Sequence, residues 1–182
     1  MRRALVSWWM MALAAMTAAG TVPAGAAVGP DERRDVMLVR DGRETGMLSP
    51  EAYAALPREE VRLDADPEHR QPAREFSGPT LWDVLKRTGL EDGADAHGVV
   101  RRVLVLRGRD GYAAVLAEAE IAPEFGDKTV ILADRMGSEL LGTDHLRAVV
   151  PGDRRAGRSV RDLARIELDT VAPPKPGGMR PQ

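Results

Sequence analysis

Five arginines, Arg147, Arg154, Arg155, Arg158 and Arg161, fall within fifteen consecutive positions, with Gly152 and Gly157 among them. A guanidinium presents a planar fork of donors matched to phosphate oxygens, and glycines leave backbone N–H groups uncovered, so this segment could hold an anion. The same residues also suit a solvated loop in which Asp153 and Asp162 pair with their neighbours, because charge runs are usually solvated faces. Spacing alone leaves both readings open.

Other chemistries find less support. His69, His97 and His145 are the only histidines, far apart in the chain, and no HExxH, thiolate pair or calcium-loop spacing accompanies them. There is no cysteine and no GxSxG, so a nucleophile with an activating base is not visible. Carboxylates are too numerous for any pair to be singled out as acid and base. Glycine-rich nucleotide loops of the GxGxxG or GxxxxGK type are absent.

The 182 residues are 43% hydrophobic and 30% charged, which places the chain among ordinary globular domains. Met1 to about Ala27 has two early arginines, an apolar run from Ala4 to about Ala19, and small residues at Ala24 and Ala26. These are the features of a cleaved export signal, and the apolar run is shorter than the ~20 residues of a spanning helix. We therefore expect a periplasmic or secreted protein with a signal at residues 1–27, one domain at residues 28–171, a loose tail at residues 172–182, and no membrane span after cleavage. Arg2-Arg3 only partly matches a twin-arginine signal. Losing those two arginines moves the formal charge from −2 to −4. A mildly acidic chain with 4% aromatic residues gives no general attraction to nucleic acid and no base-stacking platform, so any anion must be held by a local cluster.

The elements that would position this cluster are short. Asp35–Arg40 reads as a strand entering an Asp41-Gly42 turn, and Ser49-Pro50 starts a helix that Pro57 stops. Val61–Leu63 suggests a brief strand, and the proline-bearing stretch Asp64–Glu75 a loop. Leu81, Val84 and Leu85 share a helical face, with Thr80 as cap and Gly89 as terminator. Val99–Arg107, a turn at Gly108–Gly111 and the run from Tyr112 to Leu116 predict a hairpin. A short helix near Ala117–Ile121 follows, then strands at Thr129–Ala133, Leu146–Val150 and Arg165–Val171. Strands outnumber short, scattered helices, which predicts an α+β domain of mixed β-sheets.

The order FSGPTLWDVLKRTGL, VLRGRDGYAAVL, ILADRMGSELL and LRAVVPGDRRAGRSVRDLARIEL resembles the molybdopterin-binding domain of the sulfite oxidase family. The most specific part is R-x-V-V-P-G, a glycine-containing loop, S-V-basic and a closing I-E strand, and the likeness runs from about Asp35 to Thr170. The resemblance implies that Arg147 is the strand arginine that meets a pterin's terminal phosphate, that Ser159, Val160 and Arg161 form the phosphate-facing segment, and that Asp110, with Tyr112, lies at the pocket edge. It implies a pterin or another phosphorylated ligand as partner, molybdopterin as the cofactor, and an oxidoreductase if the chain is catalytic.

The sequence departs from that family at the metal. Its catalytic members ligate molybdenum through a cysteine before the G-x-x-L helix; here that region reads VRLDADPEHRQPARE. The family's pocket histidine would fall at Gly142, His145 replaces a proline, and the arginine loop is one residue longer. The expectation is a pterin- or phosphate-binding domain without standard sulfite oxidase turnover, in which any metal ligand would come from the Asp64–His69 region. The alternative is a ligand-free interaction protein that keeps the fold.

Overall fold

The computed structural model describes residues 36–65, 70–141 and 146–172. The expected signal, His69, Gly142 and His145, and the tail from residue 173 onward lie outside the described residues. Among the described residues, eleven strands form a five-stranded sheet in the order β2-β1-β11-β5-β6, a four-stranded sheet β3-β4-β8-β9 and a pair β10-β7, accompanied by four short α-helices. This is the α+β arrangement of mixed sheets expected from the sequence.

The five-stranded sheet begins with a hairpin. Strand β1 (Val36–Arg40) turns at Asp41-Gly42, both with positive φ, into β2 (Arg43–Leu48), which pairs with it antiparallel. Two consecutive left-handed residues suit the twist of a tight hairpin, which Asp-Gly supplies. The sequence signalled that turn, but β2 was not expected: five of its six residues are exposed, so it has no buried alternation to reveal it. On the other side β1 pairs parallel with β11 (Leu163–Thr170), which in turn pairs antiparallel with β5 (Arg102–Gly108), itself joined by a hairpin to β6 (Ala113–Ala117).

Against this sheet pack α1 (Pro50–Ala54) and α2 (Leu81–Thr88). The Ser49 hydroxyl accepts from the Ala52 N–H at 3.1 Å and Thr80 accepts from Asp83 at 3.0 Å, so both helices begin on satisfied caps. Gly89 takes the left-handed terminal position after α2 with φ 71°. Leu81, Val84 and Leu85 are fully buried, each burial stabilising by roughly 1.5–3 kcal/mol. Val99 does not open the following strand as expected; Asp95 caps a short α3 (Ala96–Val99), and β5 starts three residues later.

A second, smaller core of Val61, Phe76, Ile131, Ala133 and Val149 lies between the remaining strands. Here β3 (Glu59–Leu63) pairs with β4 (Arg74–Gly78), which continues to β8 (Arg135–Met136) and β9 (Glu139–Leu140). The β4 strand takes up the end of the expected loop, Arg74 and Glu75, and the three residues after it. Beside it, β7 (Ile131–Ala133) pairs with β10 (Arg147–Val149). At their closest approach only Gly78 fits, since a Cβ there would lie 2.1 Å from the Leu132 carbonyl oxygen. The last helix, α4 (Glu118–Ile121), follows β6 directly, as the sequence suggested.

Candidate functional site

The two cores meet at β10, and the site grows from that seam. After β10 the chain turns at Pro151-Gly152, passes through the arginine segment with one 3₁₀ turn at Ala156–Arg158, and comes back antiparallel to β10. Ala148 donates to the Val160 carbonyl at 2.9 Å, Leu163 donates to Leu146 at 2.8 Å, and the Val150 N–H donates to the Ser159 hydroxyl at 3.1 Å. These bonds place the roots of Arg147 and Arg161 on neighbouring stretches of backbone.

The β5–β6 turn closes on the same place. Asp110 accepts from the Tyr112 N–H at 2.9 Å, an Asx-type turn, while the Arg109 N–H donates to the Asp162 carbonyl at 3.0 Å. A Cβ at Gly108 would sit 2.7 Å from the Arg161 carbonyl oxygen, so the contact depends on that missing side chain. The Tyr112 hydroxyl donates to the Gly157 carbonyl and ties the turn to the arginine segment.

Together these elements surround a cavity of about 450 Å³. Its wall includes Arg147, Arg155 and Arg161 with a single carboxylate, Asp110. Five of the six residues expected at the site, Asp110, Tyr112, Arg147, Ser159 and Arg161, line this one space. The sixth, Val160, does not: it is fully buried in the main core, and only its backbone belongs to the segment. Ser159 is also buried, its hydroxyl accepting from Val150 and its N–H donating to Ala156 at 3.0 Å. Both residues support the segment from behind.

The arginines divide into two kinds. Arg158 is locked: its Nε and Nη2 donate to Asp153 at 2.7 Å each, its Nη1 donates to Glu120 at 2.9 Å, and Lys128 joins Asp153 at 3.2 Å. Hydrogen bonds from Arg158, then from Lys128, hold the Asp153 carboxyl below its ordinary range despite partial burial, and Asp153 and Glu120 hold the Arg158 guanidinium even more firmly protonated. For this residue the structural reading holds. Arg161 and Arg154, by contrast, are exposed and form no ion pair or side-chain hydrogen bond among the described residues. Arg147 is only 7% exposed, with its guanidinium 5.0 Å over the Phe76 ring.

A second space of about 190 Å³ adjoins the first, sharing Arg147, Gln71 and Ala156. Leu63, Pro72 and Phe76 contribute to its lining, together with Asp64, Asp153, Arg74 and Arg154. The sequence did not single out Gln71 or Pro72, which lie in a polar, proline-bearing stretch. The space beside Arg147 is open and not plugged by apolar side chains.

Phosphate oxygens fit the cationic wall of the larger space. A protein-ligated metal does not fit as well: the chain has no cysteine, and no group of three or more His, Cys, Asp or Glu is placed to share an ion among the described residues. His97 caps no such cluster, and no helix among the described residues is long and apolar enough to cross a membrane.

Comparison with known proteins bears on the fold. No family model and no curated relative matches the sequence. Among solved structures the chain is similar to the sulfane dehydrogenase SoxCD from Paracoccus pantotrophus, with a TM-score of 0.58 and 15% identity over 78% of this chain. It spans 39% of that protein's chain. The two share a distantly related fold.

Proposed function

We propose that this chain is a small exported member of the molybdopterin-binding oxidoreductase fold that binds a phosphorylated ligand, a pterin or a compound like it, without standard sulfite oxidase turnover. The observation that carries the proposal is the cationic wall: three guanidinium groups around an open cavity with one carboxylate, Arg161 among them exposed and outside any ion pair among the described residues. Arg161 and Arg155 meet the anion, Arg147 holds it from the cavity floor, and Asp110 and Tyr112 shape the edge. The motif order and the likeness to a sulfane dehydrogenase support an origin among redox enzymes.

Molybdopterin fits this site at its phosphate end, where Arg147 and Arg161 would hold it, and it would supply a pterin-bound redox metal. The thiolate that the resembling enzymes give to that metal has no counterpart here. No redox step is therefore assigned to these residues. Export to the periplasm or medium, with cleavage near Ala27, belongs to the same proposal and rests on the N-terminal sequence.

Two measurements test it. Protein purified from its native host is assayed for pterin and molybdenum, and recombinant protein is titrated calorimetrically with inorganic phosphate and pyrophosphate. Saturable anion binding that falls at least tenfold in Arg161→Ala is the expected result. Undetectable binding of either anion to the wild-type chain, together with cofactor-free native protein, overturns the proposal in favour of a ligand-free scaffold.

A further inference from the structure

Among the described residues, the sheet edges differ in how they are guarded. In the five-stranded sheet, β2 carries Arg43 and Glu44 and is bulged against β1. In the four-stranded sheet, β3 carries Glu59, Glu60 and Arg62, and β9 is two residues long. The β7–β10 pair is bonded on both sides, by Leu132 to Pro79 and by Ala148 to Val160. Charge, bulges and brevity all keep edges from pairing with other chains. The β6 edge has none of these guards: Ala-Ala-Val-Leu-Ala carries no charge and no proline, its register with β5 is unbroken, and Ala113 and Val115 are exposed.

The phase of the ladder decides which backbone groups face outward. Gly108 donates to the Tyr112 carbonyl at 2.9 Å, and on the other side of β5 Val171 donates to the Arg101 carbonyl at 2.8 Å. Antiparallel bonding alternates along a strand, so Leu104 and Leu106 bond to Leu116 and Ala114, while Val103, Val105 and Arg107 bond to β11. The N–H and C=O of Ala113 and Val115 therefore point away from β5, and no described residue bonds them. The flanking N–H groups are taken, Ala117 by Glu120 at 3.1 Å and Gly111 by the Gly108 carbonyl at 3.1 Å. Nor does the 3₁₀ turn cover this edge. Tyr112 is in step with the buried Ala114 and Leu116, so its bond to Gly157 holds that turn against the inner face of the sheet.

We propose that the β6 edge pairs with the same edge of a second copy of this chain, antiparallel about a two-fold axis at Ala114. Setting Ala113 opposite Val115 of the second copy, and Val115 opposite its Ala113, engages every free donor and acceptor on both edges. The two Ala114 residues then meet at the intervening position, where side chains lie closest and a methyl group fits. The neighbouring registers in phase would set Ala113 or Val115 against Ala117 or Gly111, whose N–H groups are already engaged. Charge favours the same arrangement. Near the turn end of β6 the exposed charge outside any ion pair is Arg161, and past α4 at the other end it is Glu124 and Asp127; the two-fold brings these unlike ends together. An edge this short buries little area, so the dimer belongs to the weak, reversible class.

Sedimentation of the full mature chain at concentrations up to about 1 mM tests this. A reversible monomer–dimer equilibrium is expected, with hydrogen exchange at the Val115 amide slowing as the dimer fraction rises. Val115→Lys, at an exposed position, should keep the fold and leave phosphate affinity within twofold while weakening association at least tenfold. Met47→Lys, equally exposed but on β2, is the control and should associate like wild type. A chain that stays monomeric throughout overturns the inference and leaves the edge to an extended segment of another protein. Association that survives in Val115→Lys, or falls equally in Met47→Lys, overturns it as well.

Discussion

The two ends of the five-stranded sheet are both built around arginines, with opposite results. At the end where β5 begins, Arg102 meets Asp92 at 3.0 Å and approaches Glu118 at 3.7 Å, while Arg40, at the end of β1, reaches the same Asp92 at 2.8 Å and donates to the Leu90 carbonyl at 3.0 Å. Each of these cations has an acid within its own shell. At the end where β5 finishes, Arg161 lines a cavity and forms no ion pair among the described residues. Arginines gather at both ends; what separates a structural cluster from a candidate site is whether the acids lie inside the same shell. Arg158 repeats the lesson within a single segment, since three residues from Arg161 it is fully engaged by Asp153 and Glu120.

The comparison breaks most sharply at the matched end. Arg102→Met leaves the buried Glu118 carboxylate without its nearest cation, and chemical denaturation should show a loss of about 3 kcal/mol. Phosphate affinity should stay within twofold of wild type, and a parallel loss of binding would mean that the two ends are not independent. Gly108→Ala should affect both properties. It costs about 2 kcal/mol by overpacking against the Arg161 carbonyl, and it also weakens phosphate binding because the segment carrying Arg161 is displaced.

Asp153→Asn comes next, at about 1–2 kcal/mol near neutral pH, because it replaces charge-assisted hydrogen bonds to Arg158. The Asp153 pKa is depressed, so its contribution is present above the ordinary aspartate value of 3.8 and is lost as pH falls through the folded-state value. The variant should accordingly show a flatter acid limb in a plot of stability against pH. Glu118 has the opposite sign. Burial raises its pKa above the ordinary 4.5, although Arg102 pulls it back, so the folded state binds this proton more tightly than the unfolded chain. Its contribution is full below pH 4.5 and declines as pH rises through the raised value, and Glu118→Gln should remove that decline. The smallest effect on stability belongs to Arg161→Ala, within about 0.5 kcal/mol by thermal melting, since the side chain is exposed and makes no ion pair. Its tenfold loss of phosphate binding would then stand apart from any change in folding.

Much of this was legible from residue types. The capped helix at Leu81–Thr88, the β5–β6 hairpin and the strand ending at Thr170 follow from apolar period, Thr80, Gly89 and the Gly108–Gly111 turn. The strands that escaped notice, β2, β4, β8 and β9, are those in which partner strands, rather than their own patterns, supply the stability: β2 is almost wholly exposed, β4 runs Arg-Glu-Phe-Ser-Gly with one large apolar residue, and β8 and β9 are two residues each. At the site, the sequence could cluster arginines but could not divide them. Nothing in R-S-V-R tells that Arg158 turns to Glu120, 38 residues away, while Arg161 turns to open space. Val160 shows the same limit, because a phosphate-facing segment needs a buried anchor and the motif does not say which residue provides it.

The ladder between residues 146–150 and 159–163 has one more implication. Because Ala148 and Leu163 stitch the two stretches together on their own, the interval between the paired arginine positions is independent of the arc from Pro151 to Gly157 that connects them. That arc can grow or shrink, and with it the placing of Arg155, while Arg147 and Arg161 keep their spacing. The chain thus divides the anion's seat into a fixed pair and one adjustable arm.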